Sequence, residues 1–231
     1  MAKVFIGVGH GGNDPGAVGY VVEKDANLKM ARACREYLEN AGVQVLMSRE
    51  KDVDEGLNEK ISECNSYKPD YALDIHNNAG KGDGFEVYHS IIGGKGKTLA
   101  LNIEEEVKKI GQNSRGLKTK TNAEGSDYFG FIRGTNCPAI ICEGAFVDNE
   151  ADAEQIDTDA KCREFGYAYA RGILKTLGVE DRNSLGTVVV EQLEPATIYR
   201  VQTGAFKDKK NAEALVKELK EKGYEAIIAK K

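Results

Sequence analysis

The chain has 231 residues, 41% of them hydrophobic and 30% charged, with a formal net charge of −5. That length suits one well-buried domain with a small appendage, and the acidic balance excludes a general nucleic-acid binder. No apolar run approaches the roughly 18 residues of a membrane span, and five cysteines without a Cys-x-x-Cys spacing exclude a disulfide framework and a zinc knuckle.

Val4 to Val8 reads as a buried strand that runs straight into a glycine-crowded loop, Gly9-His10-Gly11-Gly12-Asn13-Asp14-Pro15-Gly16. Glycines carry no Cβ, so this backbone can turn sharply and come close to a bound group. A helix is predicted over Asn27–Ala41, where Met30, Cys34, Tyr37, Leu38 and Ala41 share one face and Gly42 ends it. Val43–Met47 reads as the second strand. Glu55–Tyr67 reads as a helix with Leu57, Ile61 and Cys64 inward, and Tyr71–Ile75 as a third strand that ends at His76. Phe85–His89 alternates as a fourth strand, and Lys97–Ile110 is helical. Gln112–Asn136 is polar and glycine-rich with no long periodic run. It reads as a functional loop, the wall of a substrate groove. Ala139–Cys142 is a strand ending in Glu143, and Asp159–Leu177 is a closing helix striped by Phe165, Tyr169, Ile173 and Leu177. Strands alternating with helices predict an α/β fold, a largely parallel twisted sheet flanked by helices.

This domain is expected over 1–178, followed by a linker over 179–196. Residues 197–231 carry nine basic and five acidic side chains and read as a small β-α-β unit. Its strands are Ile198–Thr203 and Tyr224–Ala229, around a helix over Asp208–Lys222.

Three strand ends supply the chemistry. In a parallel sheet, residues at the carboxyl ends of neighbouring strands converge on one crevice. Here they would deliver His10, His76 and Glu143. Two histidines and one carboxylate leave the fourth position of a tetrahedral Zn²⁺ open for water, the pattern of a catalytic site. The carboxylate ligand lies just before the first helix, and spacing alone leaves Glu23 and Asp25 as alternatives. Cys142 precedes Glu143 but alternation points it away, so it reads as core. His89 reads as a strand-surface residue, with transition-state donation as the alternative. Arg133 reads as a contact for a substrate carboxylate through its planar fork, or as a solvated loop charge. Asp14 and Asn77 read as groups that orient the histidines, or as turn formers.

The ordered set Gly9-His10-Gly11-Gly12, Asp14-Pro15-Gly16, Glu23-Lys24-Asp25, Ile75-His76-Asn77-Asn78-Ala79 and Pro138-Ala139 with Glu143, Phe146 and Asn149 resembles the zinc-dependent N-acetylmuramoyl-L-alanine amidases of the type-3 group. The resemblance spans Lys3 to about Gly178. It implies a peptidoglycan hydrolase, an endolysin or autolysin, that cleaves the amide between N-acetylmuramic acid and L-alanine. It picks Glu23 over Asp25, making His10, Glu23 and His76 the zinc ligands. It makes Glu143 the general acid/base. Beside that resemblance, Arg133 is expected to act with Glu143, and Asn77, Asn78 and Arg133 to contact substrate. A zinc carboxypeptidase or endopeptidase acting on wall peptides is the alternative. Three positions depart from the family pattern. Gly7-Val8 replaces Asp-Pro before the first Gly-His, Asp74 replaces Ser before Ile-His, and Gly144-Ala145 replaces a polar residue and Gly after the catalytic Glu. Residues Tyr199 to Tyr224 resemble the first half of a sporulation-related (SPOR) domain, which binds peptidoglycan glycan strands. Two readings of this half-module stand side by side: two such tails pair and make a homodimer, or the segment is a truncated half-module that is partly disordered. Met1-Ala2-Lys3 leads directly into the first strand, so the chain is expected to be made in the cytoplasm without a signal peptide and to reach the wall after lysis or release.

Overall fold

The computed structural model describes residues 1–183 and 209–221 and divides the chain into two units, Met1–Thr187 and Val188–Lys231. In the first unit, β1 (Lys3–Val8), β2 (Gln44–Met47), β3 (Tyr71–Asn78), β4 (Phe85–His89), β5 (Ser114–Lys118) and β6 (Ala139–Phe146) form one sheet in the order β2-β1-β3-β6-β4-β5. Every neighbouring pair is parallel except β4 with β6. The α/β class with a largely parallel sheet is therefore what forms.

Alternation along the strands splits the apolar residues between two faces. Val4, Ile6, Leu73, Ile75, Ile140 and Cys142 join the larger core, under α1 (Glu23–Asn40), α3 (Gly94–Lys109) and α6 (Asp159–Leu177). Phe5, Ala72, Ala139 and Ile141 form the smaller one, under α2 (Leu57–Tyr67) and the short α4 (Gly130–Gly134). Close helix packing depends on missing side chains. A Cβ at Gly166 of α6 would sit 2.4 Å from the Met30 carbonyl of α1, and one at Gly172 would strike Ile103 of α3. The last helix forms over the predicted range because its ends are marked. Thr158 accepts from the Lys161 N–H, and Gly178 closes it in the left-handed region at φ +66°.

Several boundaries differ from expectation. The first helix begins at Glu23, because an acid in the first turn complements the helix dipole, so Glu23 and Asn27 lie one turn apart on the same helix. Strands β3 and β6 continue past His76 and Glu143 to Asn78 and Phe146. Both residues thus sit within strands rather than at their ends. The stretch read as one long loop contains edge strand β5 and helix α4. Strand β5 is only Ser-Arg-Gly-Leu-Lys, with Gly116 at φ +85°, too short and irregular to show a period. A one-turn helix, α5 (Glu150–Ala153), follows β6. Among the described residues, no helix is long and apolar enough to cross a membrane. In the second unit, α7 (Lys209–Glu221) falls within the predicted helix. The two predicted strands beside it lie outside the described residues.

Candidate metal centre

The glycine loop is tied down from three directions. The Gly11 and Asp14 backbones exchange hydrogen bonds. The buried Arg49 donates through Nη2 to the carbonyls of Gly9 at 3.1 Å and Lys24 at 2.8 Å. Asp52 and Asp54 accept from the N–H groups of Gly12 and Asn13. In this frame His10 adopts φ +59°, a left-handed conformation that costs a non-glycine residue energy and is held only by its surroundings. The close approach expected of the glycines is real, but the group approached is an imidazole. A Cβ at Gly9 would lie 2.3 Å from the His76 ring, and one at Gly16 would lie 2.6 Å from both Glu23 and His10.

His10, Glu23 and His76 converge, with one ligand atom from each within 4.8 Å of the others. The buried Glu23 Oε1 lies 3.2 Å from His10 Nε2 and 3.0 Å from His76 Nδ1. The same oxygen accepts from the Asn77 N–H, and Oε2 accepts from the Ala17 N–H at 2.8 Å. Each imidazole shows its other nitrogen to a carboxylate, His10 Nδ1 to Asp14 at 2.7 Å and His76 Nε2 to Asp74 at 3.5 Å. This is the outer arrangement that fixes the orientation of metal-binding histidines. Burial pushes the Glu23 carboxyl up, but the two imidazoles and the Ala17 N–H outweigh it and hold it well below the usual carboxylate range. Burial would lower His76, yet Asp74 and Glu23 raise it to about 10. The acids around His76 thus favour positive charge at this spot. Two imidazoles and one carboxylate make a donor set that suits zinc.

Parallel register places Glu143 of β6 directly beside His76 of β3, and the register shifts just beyond this pair, as bulges often do next to active sites. Glu143 is half-buried, and burial lifts its carboxyl to about 7, with Glu23 and Glu86 adding repulsion and His76 opposing. Cys142 is fully buried on the other face.

The departures from the family pattern at positions 7 and 74 are coupled. Gly7 and Asp74 are register partners in β1 and β3, and a Cβ at position 7 would stand 2.4 Å from Asp74 Oδ1. With an acid at 74 there is no room for a side chain at 7. Lys60 of α2 neutralises that acid, Nζ to Oδ1 at 2.9 Å with both side chains buried. Gly144 is likewise forced, since a Cβ there would meet Asn77 Oδ1 at 2.7 Å.

Other expected residues lie elsewhere. Asn77 is buried on the face opposite His76. Its side chain donates to Asn27 Oδ1 at 2.8 Å and accepts from the Ala145 N–H at 3.0 Å. It is committed to positioning Glu23 and β6 and is closed to substrate. Asp14, not Asn77, orients a histidine. Asn78 does share the His76 face, donating to Glu86 Oε2 at 3.3 Å. Arg133 gives its Nη1 to the carbonyls of Asp127 and Tyr128 and lines a cavity with Pro138 and Ala139. That is the starting end of β6, four residues or roughly 13 Å from Glu143. His89 is buried, not on the surface, and pairs with Ile140, three residues or about 10 Å along β6 from Glu143. Arg49, Asn27, Lys60 and Glu86 were not singled out. A charge inside an otherwise apolar strand, as in Phe85–His89, was the available sign for Glu86.

Comparison with known protein families matches residues 4–175 to N-acetylmuramoyl-L-alanine amidase (Amidase_3) and residues 195–231 to the SPOR domain. The sporulation-specific N-acetylmuramoyl-L-alanine amidase of Bacillus subtilis (strain 168) is 34% identical over 233 residues, which covers 99% of this chain and 84% of that protein. Among solved structures, Cwp6 from Clostridium difficile is similar with a TM-score of 0.74 at 36% identity, over 76% of this chain and 29% of that one. The catalytic domain of CwlV, an N-acetylmuramoyl-L-alanine amidase from Bacillus (Paenibacillus) polymyxa var. colistinus, gives 0.70 at 25% identity, over 78% of this chain and all of that one.

Proposed function

The chain belongs to the N-acetylmuramoyl-L-alanine amidase family, and on that premise we propose that His10, Glu23 and His76 hold a zinc ion while Glu143 moves the protons of the reaction. The enzyme is a peptidoglycan hydrolase that cuts the amide between N-acetylmuramic acid and the L-alanine of the stem peptide. The observation that carries the residue assignment is the convergence of the three ligand atoms within 4.8 Å, with Glu143 in register beside His76.

Zinc held by these three side chains would supply a water with a pKa near 7 and a Lewis acid for the carbonyl oxygen. The protein's own groups do the rest. Glu23, tied by backbone N–H groups, fixes the ligand geometry before substrate arrives. Asp14 holds the ring of His10 through Nδ1. Glu143 takes the proton of the attacking water on its carboxylate and returns it to the departing alanine nitrogen. Its place in register beside His76 sets that carboxylate next to the three converging side chains. The SPOR segment adds affinity for peptidoglycan, and two such tails pairing would make the enzyme a dimer. Sedimentation of the full chain as a strict monomer would count against that pairing.

The reaction is tested by digesting purified wall and labelling the new amino termini. Release of N-terminal alanine, abolished by chelation and restored by zinc, is expected. New amino termini from other stem residues would instead indicate a carboxypeptidase or endopeptidase.

A further inference from the structure

The row of acids across the sheet does not stop at Glu143. Antiparallel register sets Glu86 of β4 directly opposite it, so His76, Glu143 and Glu86 follow one another across β3, β6 and β4. Glu86 is 4% exposed, and its two oxygens are fully engaged. Oε1 accepts from Arg115 Nε and Lys118 Nζ, both at 2.6 Å. Oε2 accepts from Tyr88 Oη at 3.1 Å and Asn78 Nδ2 at 3.3 Å. One carboxylate thus anchors two cations. Arg115 is exposed and is held through Nε, with its guanidinium 5.5 Å from the Phe146 ring. Among the described residues its two Nη groups donate to nothing. Those are the paired donors that match a carboxylate in a planar fork.

The spacing says which carboxylate. Two strand intervals separate β6 from β5, roughly 10 Å. The Arg115 guanidinium reaches back to Glu86 of β4, so the gap to be crossed is shorter than that, and two residues of extended peptide span about 7 Å. A stem peptide with its first amide beside Glu143 and running across the sheet would bring the free carboxylate of its second residue to Arg115. We propose that Arg115 and Lys118, mounted on Glu86, form a carboxylate subsite, so that the enzyme prefers stem peptides whose carboxylate nearest the cleaved amide is free over those in which it is a carboxamide. This rests on the assignment of Glu143 and His76 as the reacting centre. It also gives Arg115, rather than Arg133, the role expected of a carboxylate-binding arginine.

The test uses two substrates that differ in one group, N-acetylmuramoyl-L-alanyl-D-isoglutamate and the corresponding D-isoglutamine, with the zinc-loaded full chain. The wild type is expected to favour the free acid by roughly ten-fold or more in kcat/KM, carried mainly by KM, as for one charge-assisted hydrogen bond. Added salt should raise KM for the acid but not for the amide. Arg115→Gln should collapse the preference several-fold, while Lys118 keeps the buried Glu86 paired. The triple variant Arg115→Gln/Lys118→Met/Glu86→Gln, which strands no buried charge, should bring the ratio close to one. Equal use of both substrates by the wild type, or an unchanged ratio in the folded triple variant, overturns the subsite and leaves the reacting centre standing. Failure of the wild type to cleave either substrate overturns the reacting centre and the subsite together.

Discussion

Replacing Lys60 with methionine removes the cation that faces Asp74 while keeping the length of the side chain. The two charges are 2.9 Å apart and both side chains are buried. At an effective dielectric of about 20 that separation corresponds to an attraction of about 6 kcal/mol. Much of it offsets the cost of taking both charges out of water, so the pair contributes little net stability. Breaking it is another matter, because the buried Asp74 carboxylate then keeps only the more distant His76 imidazole, at 3.5 Å, as a partner. Lys60→Met should cost roughly 3–5 kcal/mol. Asp74→Asn should also be costly, since it strands the ammonium beside the Val8 carbonyl. The double variant Lys60→Met/Asp74→Asn should recover most of the loss, a strong positive coupling. Urea titration of the chelated protein measures all four species. Asp74 also faces His76 Nε2, so every Asp74→Asn protein should bind zinc about 10–100-fold more weakly. If Lys60→Met costs less than about 1 kcal/mol, or the double variant is merely additive, the pairing does not hold Asp74 as described.

Gly9→Ala should displace the His76 ring, since the new methyl would overlap it at 2.3 Å; equilibrium dialysis should show zinc affinity falling at least about ten-fold, and wild-type affinity would refute it. Gly7→Asp should destabilise the protein alone but be tolerated together with Asp74→Ser, because the two side chains compete for one space; thermal melts of the single and double variants decide this. In the metal-free protein, burial lifts the Glu143 carboxyl from 4.5 to about 7. A carboxyl with a raised folded pKa binds its proton better when folded, so its stabilisation is present near pH 4 and is lost as pH rises through 7. Glu143→Gln should therefore gain on the wild type by roughly 1–3 kcal/mol between about pH 4 and pH 8, read by denaturant titration at the two values; an equal difference at both would contradict the shift.

The order of strands and helices was legible because apolar periodicity is strong wherever an element is buried. Val4–Val8, Phe85–His89 and Asp159–Leu177 show it. His10 and His76 were legible as histidines where apolar strands run into loops, but spacing left Asp25 open beside Glu23, and only the resemblance to the amidase family chose the carboxylate that converges with them. What could not be read came from partners distant in sequence. Asn77 looks like a substrate contact beside His76, yet alternation turns it to the other face, where Asn27 and the Ala145 N–H claim it. Arg133 was prominent in a polar loop, but that loop folds into α4 at the wrong end of β6. Arg115 sat in the same stretch unremarked, because β5 is too short to show a period and its anchor Glu86 is 29 residues away. The coupling of Gly7 with Asp74 needs the register of two strands separated by more than sixty residues.

The most direct measurement is zinc content per chain alongside release of N-terminal alanine for the wild type, His76→Ala and Glu143→Gln. One zinc per chain in the wild type and in Glu143→Gln is predicted, little or none in His76→Ala, and activity in the wild type alone. A fully active Glu143→Gln enzyme, or a His76→Ala protein that still holds stoichiometric zinc, would contradict the assignment of the centre.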